Sequence, residues 1–514
     1  MINQNFNFPK IFSYFSILLL LSFLLLTSFF YYQNSLTLHF VDEEHNIVLG
    51  SYLLKGEKLY SDMFNNHQPF AHILSSGIQK LTNPNSIYLL IKRHREFMIL
   101  WTVVWSLILL KRYSTKIIPF VIVYELTKIL LLGNLFLSES LIVYPLIYLV
   151  GILFEEKISK LEYIFLGLIF GFITFTLAPV WPVLAVILIT LAIKKLHFSL
   201  KKYFLILIGA IPILVLVLFY SSVVDYFFDV FYINSKYFIP YGIENGTDGI
   251  SLLAFITPLL SFFSPNKSAS LIIINIFSFL LVFYLIILIK QKKYWISILI
   301  VTILGLANLR YIQPGQEIYR GFHLLPWYAL LIFFVSYFST TLFKDKSKNV
   351  KILITLVLIF ILIQSTLIAK NNLFQPVDVP ENLYINYSQQ FDNGILVKTM
   401  KTDQETMLVS PDEWLVYWQA DINHPKKIVN FYEWMVRSPE LRKKVDDLFI
   451  NDPPTYVYCN CPYDSYLMQY LGGYSQIVKH GNKTSLYVLK TKLKSLNSDQ
   501  LDKLKYYGVE INKL

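Results

Sequence analysis

The sequence predicts a polytopic α-helical membrane protein of about eleven transmembrane helices, with interfacial helices in its first outer loop and a small α/β extracytoplasmic domain at its C-terminus. Three observations predict it. Hydrophobic residues make up 55% of the chain and charged residues 15%, with a mean hydropathy of +0.50; a soluble globular chain carries about 25% charged residues. Apolar runs recur up to residue 369 and then stop. Lysines and arginines collect in alternate loops between those runs.

The first run, 11–32, is long and has no small-residue cleavage site after it, so we read it as an uncleaved first helix starting in the cytoplasm. The loop that follows, 33–96, holds two amphipathic segments too short to span. Residues 43–55 interleave Ile47, Val48, Tyr52 and Leu54 with polar groups and stop at Gly56. The second begins at Pro69, a good helix-opening residue, and sets Phe70, Ile73, Leu74, Ile78 and Leu81 at helical spacing. Both suit helices lying in the interface. Ten further runs follow at 97–110, 117–133, 138–154, 162–177, 180–193, 203–220, 269–289, 295–309, 323–342 and 351–369. Gly167 and Gly171 stand four apart, a helix-packing spacing.

Lys111, Arg112 and Lys116, then Lys157 and Lys160, then Lys194, Lys195, Lys201 and Lys202, then Lys290, Lys292 and Lys293, and finally Lys344 to Lys351 mark the cytoplasmic loops. The first loop, 221–268, 310–322 and everything after 370 then lie outside, with the Pro258-containing piece 251–263 interfacial or re-entrant. The domains are 1–370, membrane-embedded, and 371–514, extracytoplasmic. In the latter, Met407–Ser410, Tyr456–Tyr458 and Ser485–Leu489 read as strands, and Pro439–Phe449 and Ser498–Tyr507 as helices. Cys459 and Cys461 are read as two thiols too close in sequence for an easy disulfide and too few for a zinc site. The net charge of +11 does not imply nucleic acid, because most of the cations sit in short loops where they set topology.

Polar groups that topology does not explain mark the chemistry. Asp42, Glu43 and Glu44 follow the first span directly, and carboxylates beside a bilayer are costly to keep without a task. Glu139, between Ser138 and Ser140 in a tight outer turn, is a second acid, as helix cap or as reactive group. Outer cations are Lys58, His67, Arg310, Arg320 and His323; guanidiniums and imidazoles there can bind phosphate or meet lipid headgroups. Glu125 and Lys128, at i and i+3 inside a span, neutralise each other. One base, several cations and no paired nucleophile suit direct displacement at an anomeric carbon with a phosphate leaving group, hence inversion. A multi-pass transporter and a non-catalytic scaffold with an outer binding domain are the competing classes; no internal repeat supports the first, and the second leaves the clustered acids unexplained.

Asp42-Glu43, Gly56-Glu-Lys-Leu-Tyr60-Ser-Asp62 and His67-Gln68-Pro69-Phe70 resemble the first outer loop of the GT-C glycosyltransferases, among them the protein mannosyltransferases and the aminoarabinose transferases of lipid A. The acidic turn at Glu139, His323-x-x-Pro326 at the start of a late span and the C-terminal outer domain extend the resemblance. It implies a GT-C-like fold in the plasma membrane and a polyprenyl-phosphate-sugar donor, with a glycan, lipid or protein acceptor. It implies Asp42 as catalytic base and Glu139 as a group that helps position the acceptor or, in some members, a divalent metal. On our own reading of the residues Glu43 or Glu139 assists Asp42, and Arg310, Arg320 and nearby cations such as His323 hold the phosphate. It implies no certain cofactor; a divalent metal, Mg or Mn, is the one expected where Glu139 or the acidic triplet holds a cation. Many relatives carry Lys-Pro-Pro where this chain has His67-Gln68-Pro69, so His67, Lys58 or Arg320 is expected to stand in for that lysine.

Overall fold

The computed structural model describes residues 8–196, 199–245, 269–307, 321–341, 348–375 and 380–510. Arg310, Arg320 and the 251–263 piece lie outside the described residues. The chain divides into two compact units, neither continuous in sequence.

The first unit comprises 1–35, 95–214 and 248–377 and is built from helices. Helices occupy every apolar run named above: α1 (Phe8–Gln33), α4 (Ile87–Tyr113), α5 (Ile118–Thr127), α6 (Ser138–Ile152), α7 (Lys160–Thr174), α8 (Trp181–Leu191), α9 (Leu200–Tyr220), and then Ala269–Lys290, Tyr294–Ala307, Leu325–Thr341 and Lys348–Asn372. Five of the described helical segments are long and apolar enough to cross a membrane by themselves; Ser138–Ile152 and Tyr294–Ala307 are shorter. The Leu325–Thr341 helix is the axis of this unit, packed against α5, α6, Ala269–Lys290 and Tyr294–Ala307. By contrast α9 exposes Leu200, Phe204, Leu207, Ile211, Val215 and Leu218 along one side. An apolar stripe at helical spacing facing outward is a lipid-facing surface. The other side of α9 packs on α7. A methyl group at Gly167 would collide with the Ile206 carbonyl, and one at Gly209 with the Ile164 carbonyl. The Gly167 and Gly171 spacing therefore serves helix packing, as expected. Ser159 starts α7 with a capping box: its hydroxyl oxygen accepts from the Glu162 N–H at 3.3 Å while the Glu162 carboxylate accepts from the Ser159 N–H at 2.8 Å.

Glu125 and Lys128 form the expected pair, Nζ to Oε2 at 2.7 Å, both almost wholly buried. Tyr144 donates to Glu125 at 2.5 Å and Lys128 donates to Thr102 at 2.9 Å. Buried charges survive only with partners of this kind.

The second unit comprises 36–94, 215–247 and 378–514. Its two first-loop helices fall where the amphipathic pattern places them: α2 (Val41–Leu54), followed by Gly56 at φ +91°, and α3 (Phe70–Thr82), with Pro69 at its N-cap. The sheet has the order β1-β2-β4-β3, with β1 (Met407–Ser410) parallel to β2 (Tyr456–Cys459), and β4 (Asn482–Leu489) antiparallel to both β2 and β3 (Tyr474–Lys479). Helices Pro439–Asn451 and Ser498–Tyr506 match expectation; Pro380–Met400, Leu415–Ala420 and β3 were not foreseen. Leu408, Val457, Phe431, Met435, Leu441 and Val445 centre its core. The first loop is laced to the later segments of this unit. Phe64 N–H donates to Lys427 O at 2.8 Å, Lys427 N–H to Asp62 O at 2.7 Å, and Tyr52 OH to Ile422 O at 3.0 Å.

One expectation is corrected. Cys459 and Cys461 are joined in a disulfide, with Cα atoms 5.0 Å apart. Sequence proximity is not spatial misfit: this Cα separation lies within the range of about 4.4–6.8 Å that disulfides take.

Candidate functional site

The chain leaves extended backbone at Phe40 and enters α2 at Val41, so Asp42, Glu43 and Glu44 fill its first turn. Free N–H groups and the helix dipole favour carboxylates there. Successive helix residues point about 100° apart, so the three acids diverge. Asp42 is half-buried and lines a cavity; Glu43 and Glu44 are fully buried and are not part of its wall. Glu44 meets His39, yet burial outweighs that contact and pushes its carboxyl up to about 7.

The cavity has a volume of about 190 Å³ and lies within the second unit. Asp42, His45, Phe64, Asn65, Asn66, His67, Phe238, Asp412, Trp414, Asn430, Tyr432 and Trp434 line it. Asp412 enters from the carboxyl end of β1, in left-handed backbone at φ +66°. Burial holds its carboxyl above the ordinary range, partly offset by a hydrogen bond from Tyr432. His45 sits among His67, His72 and Trp414, with ring centroids 4.7, 5.1 and 4.6 Å away. Burial first, then the neighbouring His67 and His72, push His45 well below its usual range, so it is a neutral imidazole. Asn65 fixes this cluster: its amide nitrogen is 2.9 Å from His72 Nε2, and its oxygen accepts from the His67 N–H at 3.0 Å.

The other predicted residues distribute as follows. Lys58 is exposed and outside the cavity wall; its backbone N–H donates to Asp62 at 2.8 Å. His67 lines the cavity beside Asp42. Glu139 and His323 belong to the first unit, where they form a pair at 2.8 Å. Glu139 occupies the first turn of α6, again at a positive helix end. The resemblance raised a divalent metal here. Among the described residues no group of three or more His, Cys, Asp or Glu side chains converges on a point that could hold a metal ion.

Sequence reasoning missed the far wall of the cavity: Asp412, Trp414, Asn430, Tyr432 and Trp434. A signal existed. Pro411-Asp412-Glu413-Trp414 follows a four-residue apolar strand directly, and the carboxyl ends of parallel strands are where α/β folds place ligands. It also missed Asp229, fully buried and 3.1 Å from Lys427 Nζ. Burial pushes Asp229 up to about 7 despite Lys427.

The fold and these elements define a polytopic membrane protein with a GT-C-like fold. Its architecture is similar to that of ArnT from Cupriavidus metallidurans, whose crystal structure was solved bound to undecaprenyl phosphate; the two superpose with a TM-score of 0.53 over 92% of this chain and 97% of that one, at 11% sequence identity. No family model matches the sequence, and no curated protein does.

Proposed function

We propose that this chain is an integral membrane glycosyltransferase that moves one sugar from a polyprenyl-phosphate-linked donor to an acceptor hydroxyl at the outer membrane face, with inversion. The observation that carries the reading is the placement of Asp42: a carboxylate in the first turn of α2, facing a cavity, in a chain with the fold of a protein crystallised with undecaprenyl phosphate. Asp42 accepts the proton of the acceptor hydroxyl. The acceptor oxygen attacks the anomeric carbon, the bond from that carbon to the phosphate oxygen breaks, and the polyprenyl phosphate departs with the electron pair. The leaving group needs cations rather than a general acid; Arg310 and Arg320 are assigned that role from the sequence. The Glu139–His323 pair is assigned to positioning of substrate. Glu43, buried beside Asp42 in the first turn of α2, or Glu139 assists that base.

The test is transfer of labelled sugar from a panel of polyprenyl-phosphate sugars by purified protein, with and without EDTA. Donor-dependent release of polyprenyl phosphate supports the reading. Donor-independent solute flux in sealed vesicles, with no release, replaces it with a transporter. Loss of transfer in EDTA adds a metal to the mechanism.

A further inference from the structure

Asn430 is 4% exposed, lines the cavity, and has no hydrogen-bond partner for either its amide nitrogen or its oxygen. An unpaired buried polar group is costly and rare in native proteins. The backbone that presents it is fixed: Asn430 bridges to Val409 of β1, and the next N–H, from Phe431, donates to Val409 O at 3.0 Å. Trp414, 2% exposed, brings its indole N–H beside the Tyr432 phenol without a hydrogen bond of good geometry.

The rest of the wall narrows what completes these groups. Trp434 stands between Phe64 and Phe238, with ring centroids 6.0 and 5.3 Å away, so one wall is aromatic. Among the described residues the wall carries two carboxylates, Asp42 and Asp412, and no lysine or arginine. A ligand with a phosphate or carboxylate of its own would meet like charge in a partly desolvated site. A purely apolar ligand would leave Asn430 unpaired. A donor and an acceptor on one amide, an indole N–H, carboxylate acceptors and flat aromatic faces together match a ring bearing several hydroxyls on an apolar face. The cavity's volume of about 190 Å³ has room for one such ring.

We propose that this cavity is a subsite for a single non-anionic sugar ring, read by Asn430 and Trp414 of the C-terminal segment. Its further assignment to the acceptor, because the ring lies beside the Asp42 base, rests on the glycosyltransferase reading above.

The experiment is a tryptophan-fluorescence titration of the purified full chain in lipid nanodiscs. The ligands are methyl glycosides of glucose, galactose, mannose, N-acetylglucosamine and glucosamine, and the uronates of glucose and galactose. At least one non-anionic glycoside is expected to give a saturable change, with the uronates at least tenfold weaker. Asn430→Ala is expected to weaken that response at least tenfold, as is the near-isosteric Asn430→Asp, with unchanged circular dichroism confirming the fold. Asp42→Asn is expected to stop transfer. No saturable response to any glycoside, uronates binding as well as neutral sugars, or both Asn430 variants binding like wild type would overturn the subsite. The two readings fail separately: sugar binding without transfer from any donor removes the enzyme alone, and Asp42-dependent transfer without a sugar response removes the subsite alone.

Discussion

Nδ1 of His323 lies 2.8 Å from Oε1 of Glu139, with the two side chains 13% and 6% exposed. The 3₁₀ turn Gly321–Leu324 and the first turn of α6, far apart in sequence, meet through this contact. A hydrogen bond to a charged group is worth about 1.5–3 kcal/mol. His323→Ala is expected to lower stability by that order, and Glu139→Gln by less, because an amide still accepts. A double-mutant cycle followed by thermal unfolding is expected to return a coupling of about 0.5–3 kcal/mol. Additive effects would mean that the pair does not act as a unit.

Lys128→Met strands Glu125 inside the first unit. Breaking a buried pair costs about 3–5 kcal/mol, whereas replacing both partners with apolar groups is often nearly neutral. The single variant is therefore expected to melt well below wild type, and Glu125→Leu combined with Lys128→Met to recover most of the loss. Tyr144, which donates to Glu125, would limit the recovery.

At Gly167 even a methyl collides with the Ile206 carbonyl of α9. Overpacking costs about 1–3 kcal/mol, occasionally more. Gly167→Ala is expected to fall in that range and Gly167→Leu to abolish the α7–α9 contact. Detergent-resistance assays of purified variants check this, with Gly77, which has open space around it, as the tolerant control.

Asp229 supplies a pH signature. Its folded-state carboxyl is raised to about 7 by burial, from an ordinary value of 3.8. A raised acid binds its proton more tightly when folded. Its stabilisation is thus complete below pH about 4 and is lost as pH rises toward 7. His45 and His72, pushed down by burial, have the opposite sign. The difference between wild type and Asp229→Asn isolates the carboxylate: between pH 4.5 and 7.5 the wild-type Tm is expected to fall relative to the variant. Parallel curves would contradict a buried, destabilised charge at Asp229.

The membrane helices and first-loop helices were legible because a spanning helix needs a continuous apolar run, and an interfacial helix a one-sided one. Met407–Ser410 and Tyr456–Cys459 were legible as short apolar runs. Pro380–Met400 was not, since its sequence is polar. It packs against Leu415–Ala420, with Gly394 allowing close approach to Gln419. β3 was not, because Ser475, Gln476 and Lys479 interrupt its apolar residues. Asp42 and Glu139 stood out as acids where a bilayer disfavours them. Asp412, Asn430 and Trp414 looked like ordinary residues of a soluble domain. Only tertiary folding brings them to the α2 turn, some 370 positions earlier in sequence.

The central claim is that Asp42 removes the acceptor proton. The most direct measurement is single-turnover sugar transfer by purified wild type and Asp42→Asn, with a donor that the wild type uses and with folding confirmed by matched melting curves. Removing a general base costs about 10²–10⁴-fold in rate. The expected result is a loss of that size, with donor binding within a few-fold of wild type. Equal rates in both proteins would contradict the account and move the base away from Asp42.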